Sequence, residues 1–86
     1  MLLESIKSEI IIKYDWISSI FIEDGDLVIE EEYYMGSNEK NDDDCCDTAR
    51  ENGEMIIESF PMLEISNYYC HRHKYAIVEL KLKELA

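Results

Sequence analysis

Basic residues are scarce in this chain, glycine and proline scarcer still, and long apolar runs are missing. Eight Lys and Arg stand against 20 Asp and Glu, a formal net charge of −12. A surface so negative repels nucleic acid and anionic lipid and draws in basic protein surfaces, because long-range potential governs encounter. The expected partner is therefore a basic protein, with neither nucleic acid nor membrane bound directly. The longest unbroken apolar run, Tyr75-Ala76-Ile77-Val78, is far short of the about 20 residues a spanning helix needs. An acid and a base interrupt the opening Met1-Leu2-Leu3-Glu4-Ser5-Ile6-Lys7, so no cleaved secretory signal is expected and the cytoplasm is the expected compartment.

Only three glycines are present, all isolated, which excludes a glycine-rich phosphate loop. The three cysteines cannot all pair within one chain, and adjacent Cys45 and Cys46 are poor partners for each other. Reduced thiols are expected rather than a secreted disulfide framework.

What the chain does have is apolar residues, 47% of it, nine aromatics among them, in a length of 86. That suits one small domain over residues 1–86, with a core and an acidic coat. The acidity is regional. Residues 23–64 hold 15 acids and 2 bases, net −13, and the remainder is net +1.

Ile17 to Ile22 and Leu27 to Tyr34 are rich in β-branched and aromatic residues and flank Glu23-Asp24-Gly25-Asp26, whose Asp-Gly step suits a tight hairpin turn. Upstream, Leu3, Ile6 and Ile10 follow helical spacing, but Ile10-Ile11-Ile12 is a β-branched triplet. A short helix running into a strand near Ile10 is expected. The polar stretch Gly36-Ser37-Asn38-Glu39-Lys40-Asn41 reads as a connection between two halves.

In the second half, Asp42-Asp43-Asp44 can cap a helix whose apolar face would carry Cys46, Ala49, Gly53, Ile56, Ile57 and Phe60, ended by Pro61. Asn52-Gly53 leaves open a shorter helix followed by a strand. Two further strands, Glu64 to Cys70 and Tyr75 to Lys83, flank His71-Arg72-His73-Lys74. In the last, Ala76, Val78, Leu80 and Leu82 alternate with Ile77, Glu79, Lys81 and Lys83. The expected fold is α+β, an antiparallel sheet of about four or five strands packed against one or two helices.

Cys70, His71 and His73 concentrate metal-ligand types, but their distance from Cys46 matches no zinc spacing and there is no CxxC. The ordinary account is that Cys46 and Cys70 are small core residues and that His71 and His73 sit in a polar turn. Counted from Asp42, an EF-hand loop would place Asp47 where its glycine belongs and Gly53 where its bidentate glutamate belongs. Cys70 beside a histidine carries no cysteine-hydrolase signature, and exposed acids are not a tuned acid and base. No enzyme and no cofactor is expected.

The acids remain. Glu30 and Glu32 share a strand face about 6.7 Å apart, near two axial phosphate steps of about 3.4 Å each. Glu23, Asp24 and Asp26 continue the charge at the turn, and Asp42, Asp43, Asp44, Asp47 and Glu51 extend it along the helix. Tyr33, Tyr34 and Met35 directly follow the glutamate run and are candidate apolar anchors for a partner, since aromatic and Met residues are enriched at interfaces. A strand sends only one of the two tyrosines inward. The bland alternative is a solvated face that keeps the protein soluble.

In size, charge and lack of catalytic motif, and in Glu23-Asp24-Gly25-Asp26, Glu30-Glu31-Glu32 and Asp42-Asp43-Asp44, the chain resembles the small acidic phage-encoded inhibitors. These include anti-CRISPR proteins, anti-restriction proteins and the uracil-DNA glycosylase inhibitor. The likeness is one of composition. It implies stoichiometric blockade of a basic nucleic-acid-binding enzyme by DNA mimicry, in the host cell's cytoplasm.

Tyr14-Asp15-Trp16-Ile17-Ser18-Ser19-Ile20, leading into Leu27-Val28-Ile29, is similar to the opening hairpin of some bacterial toxin-immunity proteins, where His-Asp often replaces Tyr-Asp. That implies an antitoxin against a nuclease. A zinc-stabilised protein, or a homodimer paired through a sheet edge, are the other classes left open.

Overall fold

A computed structural model of the chain describes residues 2–32, 42–72 and 74–83. Helix α1 (Leu2–Lys13) leads into strands β1 (Ser19–Glu23) and β2 (Asp26–Glu32). Helix α2 (Asp42–Ser59) is followed by strands β3 (Leu63–His71) and β4 (Tyr75–Leu82). The fold is α+β, with two helices and one four-stranded antiparallel sheet in the order β1-β2-β4-β3.

The first hairpin turns on Asp24 and Gly25, both at positive φ (53° and 84°), which matches the right-handed twist of the strands on either side. Strand β1 begins at Ser19 rather than Ile17. Just before it, the Ser18 N–H donates to the Glu30 carbonyl (2.8 Å) and the Ser18 hydroxyl accepts from the Glu32 N–H (3.0 Å). The second hairpin closes with the Lys74 N–H donating to the His71 carbonyl (3.1 Å), with Arg72 at φ 56°.

No strand forms at Ile10. Helix α1 runs unbroken through the Ile10-Ile11-Ile12 triplet, and the Tyr14 N–H donates to the Ile10 carbonyl (3.0 Å). The reason is tertiary. Leu3, Ile6, Ile10 and Tyr14 recur at helical spacing and all enter the core, so one helical stripe buries more than a strand from Ile10 would. Ile11 and Ile12 are left exposed.

Helix α2 is likewise continuous through Asn52-Gly53 and stops at Ser59, before Pro61. The residue it buries in its first turns is Cys45, with Cys46 only half-buried, while Ala49, Gly53, Ile56 and Phe60 are buried as expected and Ile57 is packed against the core. Cys45, Ala49, Gly53 and Ile56 form the inward stripe, and Cys45 and Ala49 pack with Ala76 and Cys70. This stripe of small side chains brings α2 close to the sheet. A Cβ built on Gly53 would lie 2.8 Å from Val78 Cγ2 and 3.0 Å from Ile65 Cδ1.

Both helices cover the same face of the sheet. Leu27 and Ile29 of β2, Val78 and Leu80 of β4, and Leu63 of β3 meet α1 and the C-terminal half of α2 in one core. The register fixes what lies on the other face, because side chains alternate: Phe21, Val28 and Glu79 form one cross-strand row, and Ser19, Glu30, Ile77 and Tyr69 the next. A bulge between Ile65 and Asn67 interrupts the edge strand β3.

Two substitutions test the helix through the isoleucine triplet. In a helix Ile10 is buried (0% exposed) and Ile12 is not (84%), whereas a strand would place both on one face. In denaturant melts Ile10→Ala is expected to cost about 2–5 kcal/mol and Ile12→Ala no more than about 0.5 kcal/mol. Gly53→Val, which drives two methyl groups toward Val78 and Ile65, should lose at least about 2 kcal/mol by the same measurement.

Candidate interaction face

The hairpin acids come together on the sheet face that carries no described helix. Glu23, Asp26, Glu30 and Glu32 alternate outward on β1 and β2 as the period-two reading anticipates, with Asp24 at the turn. Across the sheet β4 adds Glu79, opposite Val28. Glu23, Asp24, Asp26, Val28 and Glu79 line a shallow notch of about 240 Å³.

The three-glutamate run is divided by the pleat. Glu31 points the other way, half-buried beneath α2, where its Oε1 accepts a hydrogen bond from Asn52 Nδ2 (2.8 Å). Asn52 is the buried polar side chain among the described residues, and this bond answers the cost of placing an amide there. Glu32, at the end of the open face, pairs with Lys74 at 3.7 Å. Both side chains are about half exposed, so that pair is screened by solvent. Among the described residues, Glu23, Asp24, Asp26 and Glu30 make no ion pair.

Apolar groups sit between these acids. Val28 and Ile77 are buried (5% and 3% exposed) yet belong to neither cluster beneath the helices, and Phe21 remains 37% exposed. Tyr69 donates its hydroxyl hydrogen bond to Glu79 Oε2 (3.2 Å). Burial raises the Tyr69 phenol above its usual pKa of 10.0, and the negative charges of Glu79, Glu30 and Glu23 push it further the same way. Sequence reading missed Tyr69 and Glu79, which join the acids only through the cross-strand register, and Phe21, which shares a face with Glu23 by alternation along β1.

Asp47 and Glu51 do not join this group. Helix α2 lies against the opposite face of the sheet, with Asp47 and Glu51 exposed on it and Asp47 paired to Arg50 at 3.9 Å. Asp42, Asp43 and Asp44 form the first turn of α2. Asp47 and Glu51 thus lie on a different layer from the hairpin acids, with which they were expected to form a single surface. Tyr33, Tyr34 and Met35 lie outside the described residues, as does His73.

The cysteines are free thiols, Cys45 buried, Cys46 and Cys70 half-buried. Cys70 packs beside Ala76 and Cys45 under α2, while His71 is exposed at the end of β3. Among the described residues no three His, Cys, Asp or Glu side chains gather as a metal site would require. No helix among them is long and apolar enough to cross a membrane.

The Tyr69 phenol offers a direct check of the face's electrostatics. A difference absorbance titration between the wild type and Tyr69→Phe should place its midpoint above 10, and Glu79→Gln should bring it down. Since the folded form holds this proton more tightly, its contribution to stability is intact below pH 10 and is lost as pH rises through the folded pKa.

Compared with protein-family models, with curated proteins and with solved structures, the chain matches none.

Proposed function

We propose that the protein is a small acidic inhibitory binding protein that blocks a nucleic-acid-binding enzyme, such as a CRISPR effector or a restriction or repair nuclease or glycosylase. The observation that carries this reading is the gathering of Glu23, Asp24 and Asp26 at the hairpin turn, with Glu30 farther along the same face, without ion-pair partners among the described residues. Like charges gathered in this way work against folding by mutual repulsion, and the repulsion is relieved when a cationic surface arrives. A cleft built to hold phosphates supplies that surface. Occupying it excludes DNA or RNA, and electrostatic steering makes association fast and salt-sensitive.

The role needs no catalytic group or cofactor. An immunity protein that silences a nuclease toxin would use the same chemistry, and the identity of the partner separates the two.

The test is a tagged pull-down from host lysate at low and moderate salt, with mass spectrometry of the eluate. A basic nuclease, glycosylase or CRISPR effector released as salt rises, and inhibited by the purified protein, is the expected result. Charge reversal of Glu23, Asp26 and Glu30 to Lys should abolish capture. Reversal of Asp42, Asp43 and Asp44 reports separately on the helix acids. Recovery of no such enzyme, or retention by the hairpin reversal, would overturn the reading.

A further inference from the structure

The carboxylates of the open face do not form a line. Strand order β1-β2-β4-β3 spreads Glu23, Asp26, Glu30 and Glu79 over three strands, and the cross-strand rows interleave them with Phe21, Val28 and Ile77. The two glutamates expected to imitate phosphates two axial steps apart are not equivalent either. Glu32 is paired with Lys74, whereas Glu30 lies in a row with Ile77 and Tyr69.

A phosphate backbone presents charge at regular spacing along one direction, whereas these carboxylates are spread over three strands beside the exposed ring of Phe21. A polypeptide segment that alternates cationic and apolar side chains meets both. Building on the function proposed above, we infer that the open face of the sheet docks a cationic amphipathic segment of the partner protein. In that arrangement an apolar side chain covers Phe21, and Lys or Arg side chains reach Glu23, Asp26, Glu30 and Glu79.

Charge complementarity selects this occupant over the others. A second copy would bring the same carboxylates against themselves, and nucleic acid would be repelled. Phe21 is half-exposed on the short edge strand beside these acids, in the manner of an aromatic anchor within a polar rim. The face therefore combines a salt-screened component with one that salt leaves alone.

The probe is a fluorescent peptide alternating lysine and leucine, compared by anisotropy with an oligolysine carrying the same number of lysines. The alternating peptide should bind about tenfold more tightly, the effect of one buried aromatic anchor. Phe21→Thr, which keeps a β-forming residue at the edge, should remove that preference and leave oligolysine binding unchanged. Glu30→Gln with Glu79→Gln should weaken both peptides, and each variant's fold is checked by circular dichroism. Amide shift changes on titration should fall on β1, β2, β4 and Tyr69.

Equal binding of the two peptides, shifts confined to α2, or a concentration-dependent mass from pairing through this face would each overturn the inference. The peptide measurement needs no natural target, so it stands if the pull-down recovers none. Conversely, a captured enzyme whose affinity ignores Phe21→Thr would leave the proposed function in place and remove this docking mode.

Discussion

The contact on which the architecture depends is the close approach of α2 to β3 and β4. It is possible only because Cys45, Ala49 and Gly53 present little or no side chain where the helix crosses the sheet. With the helix axis drawn in, Ile56 and Phe60 reach the residues of β2, β3 and β4 that α1 also covers, and the two helices close one core over one face. Small residues here sacrifice helix propensity at Gly53, about 1 kcal/mol relative to alanine, and gain dense packing against Val78 and Ile65. Asn52, next to Gly53, fastens the same turn to β2 through Glu31.

Placing both helices on one side determines the character of the other. The outward positions of β1, β2 and β4 keep a mixed surface, with Val28 and Ile77 buried in it, Phe21 half-exposed, and carboxylates around them. The raised proton affinity of the Tyr69 phenol reflects the same arrangement, since burial and three glutamate charges from β1, β2 and β4 act on it together. Charge segregated this way is a cost to the free protein and a recognition element for a cationic one. The structural and proposed functional properties of the face thus have a common origin in the register of three strands.

Reading the sequence succeeded where one local rule acted alone. Asp24-Gly25 specified its turn because few residues accept positive φ, and the alternation in Ala76, Val78, Leu80 and Leu82 marked the buried side of β4. It failed where two rules competed. At Ile10-Ile11-Ile12 the β-branched preference amounts to tenths of a kcal/mol per residue, while burying the Leu3, Ile6, Ile10 and Tyr14 stripe gains about 1.5–3 kcal/mol for each large apolar side chain. Between Cys45 and Cys46 the sequence offered no basis for choice, since identical side chains four and three residues before Ala49 both fit the same helical face.

The sequence by itself determined the sign and regional concentration of the charge, the α+β composition, the hairpin, and the outward sharing of a face by Glu30 and Glu32. All of these follow from residue type or from periodicity along the chain. Only the tertiary structure decided that β4 inserts beside β2, that Glu79 and Tyr69 join the hairpin acids, and that Asp47 and Glu51 of α2 belong to another layer. Such neighbours are separated by tens of residues along the chain. Their meeting is set by which apolar faces can be buried together, a property of the whole core that no local pattern carries.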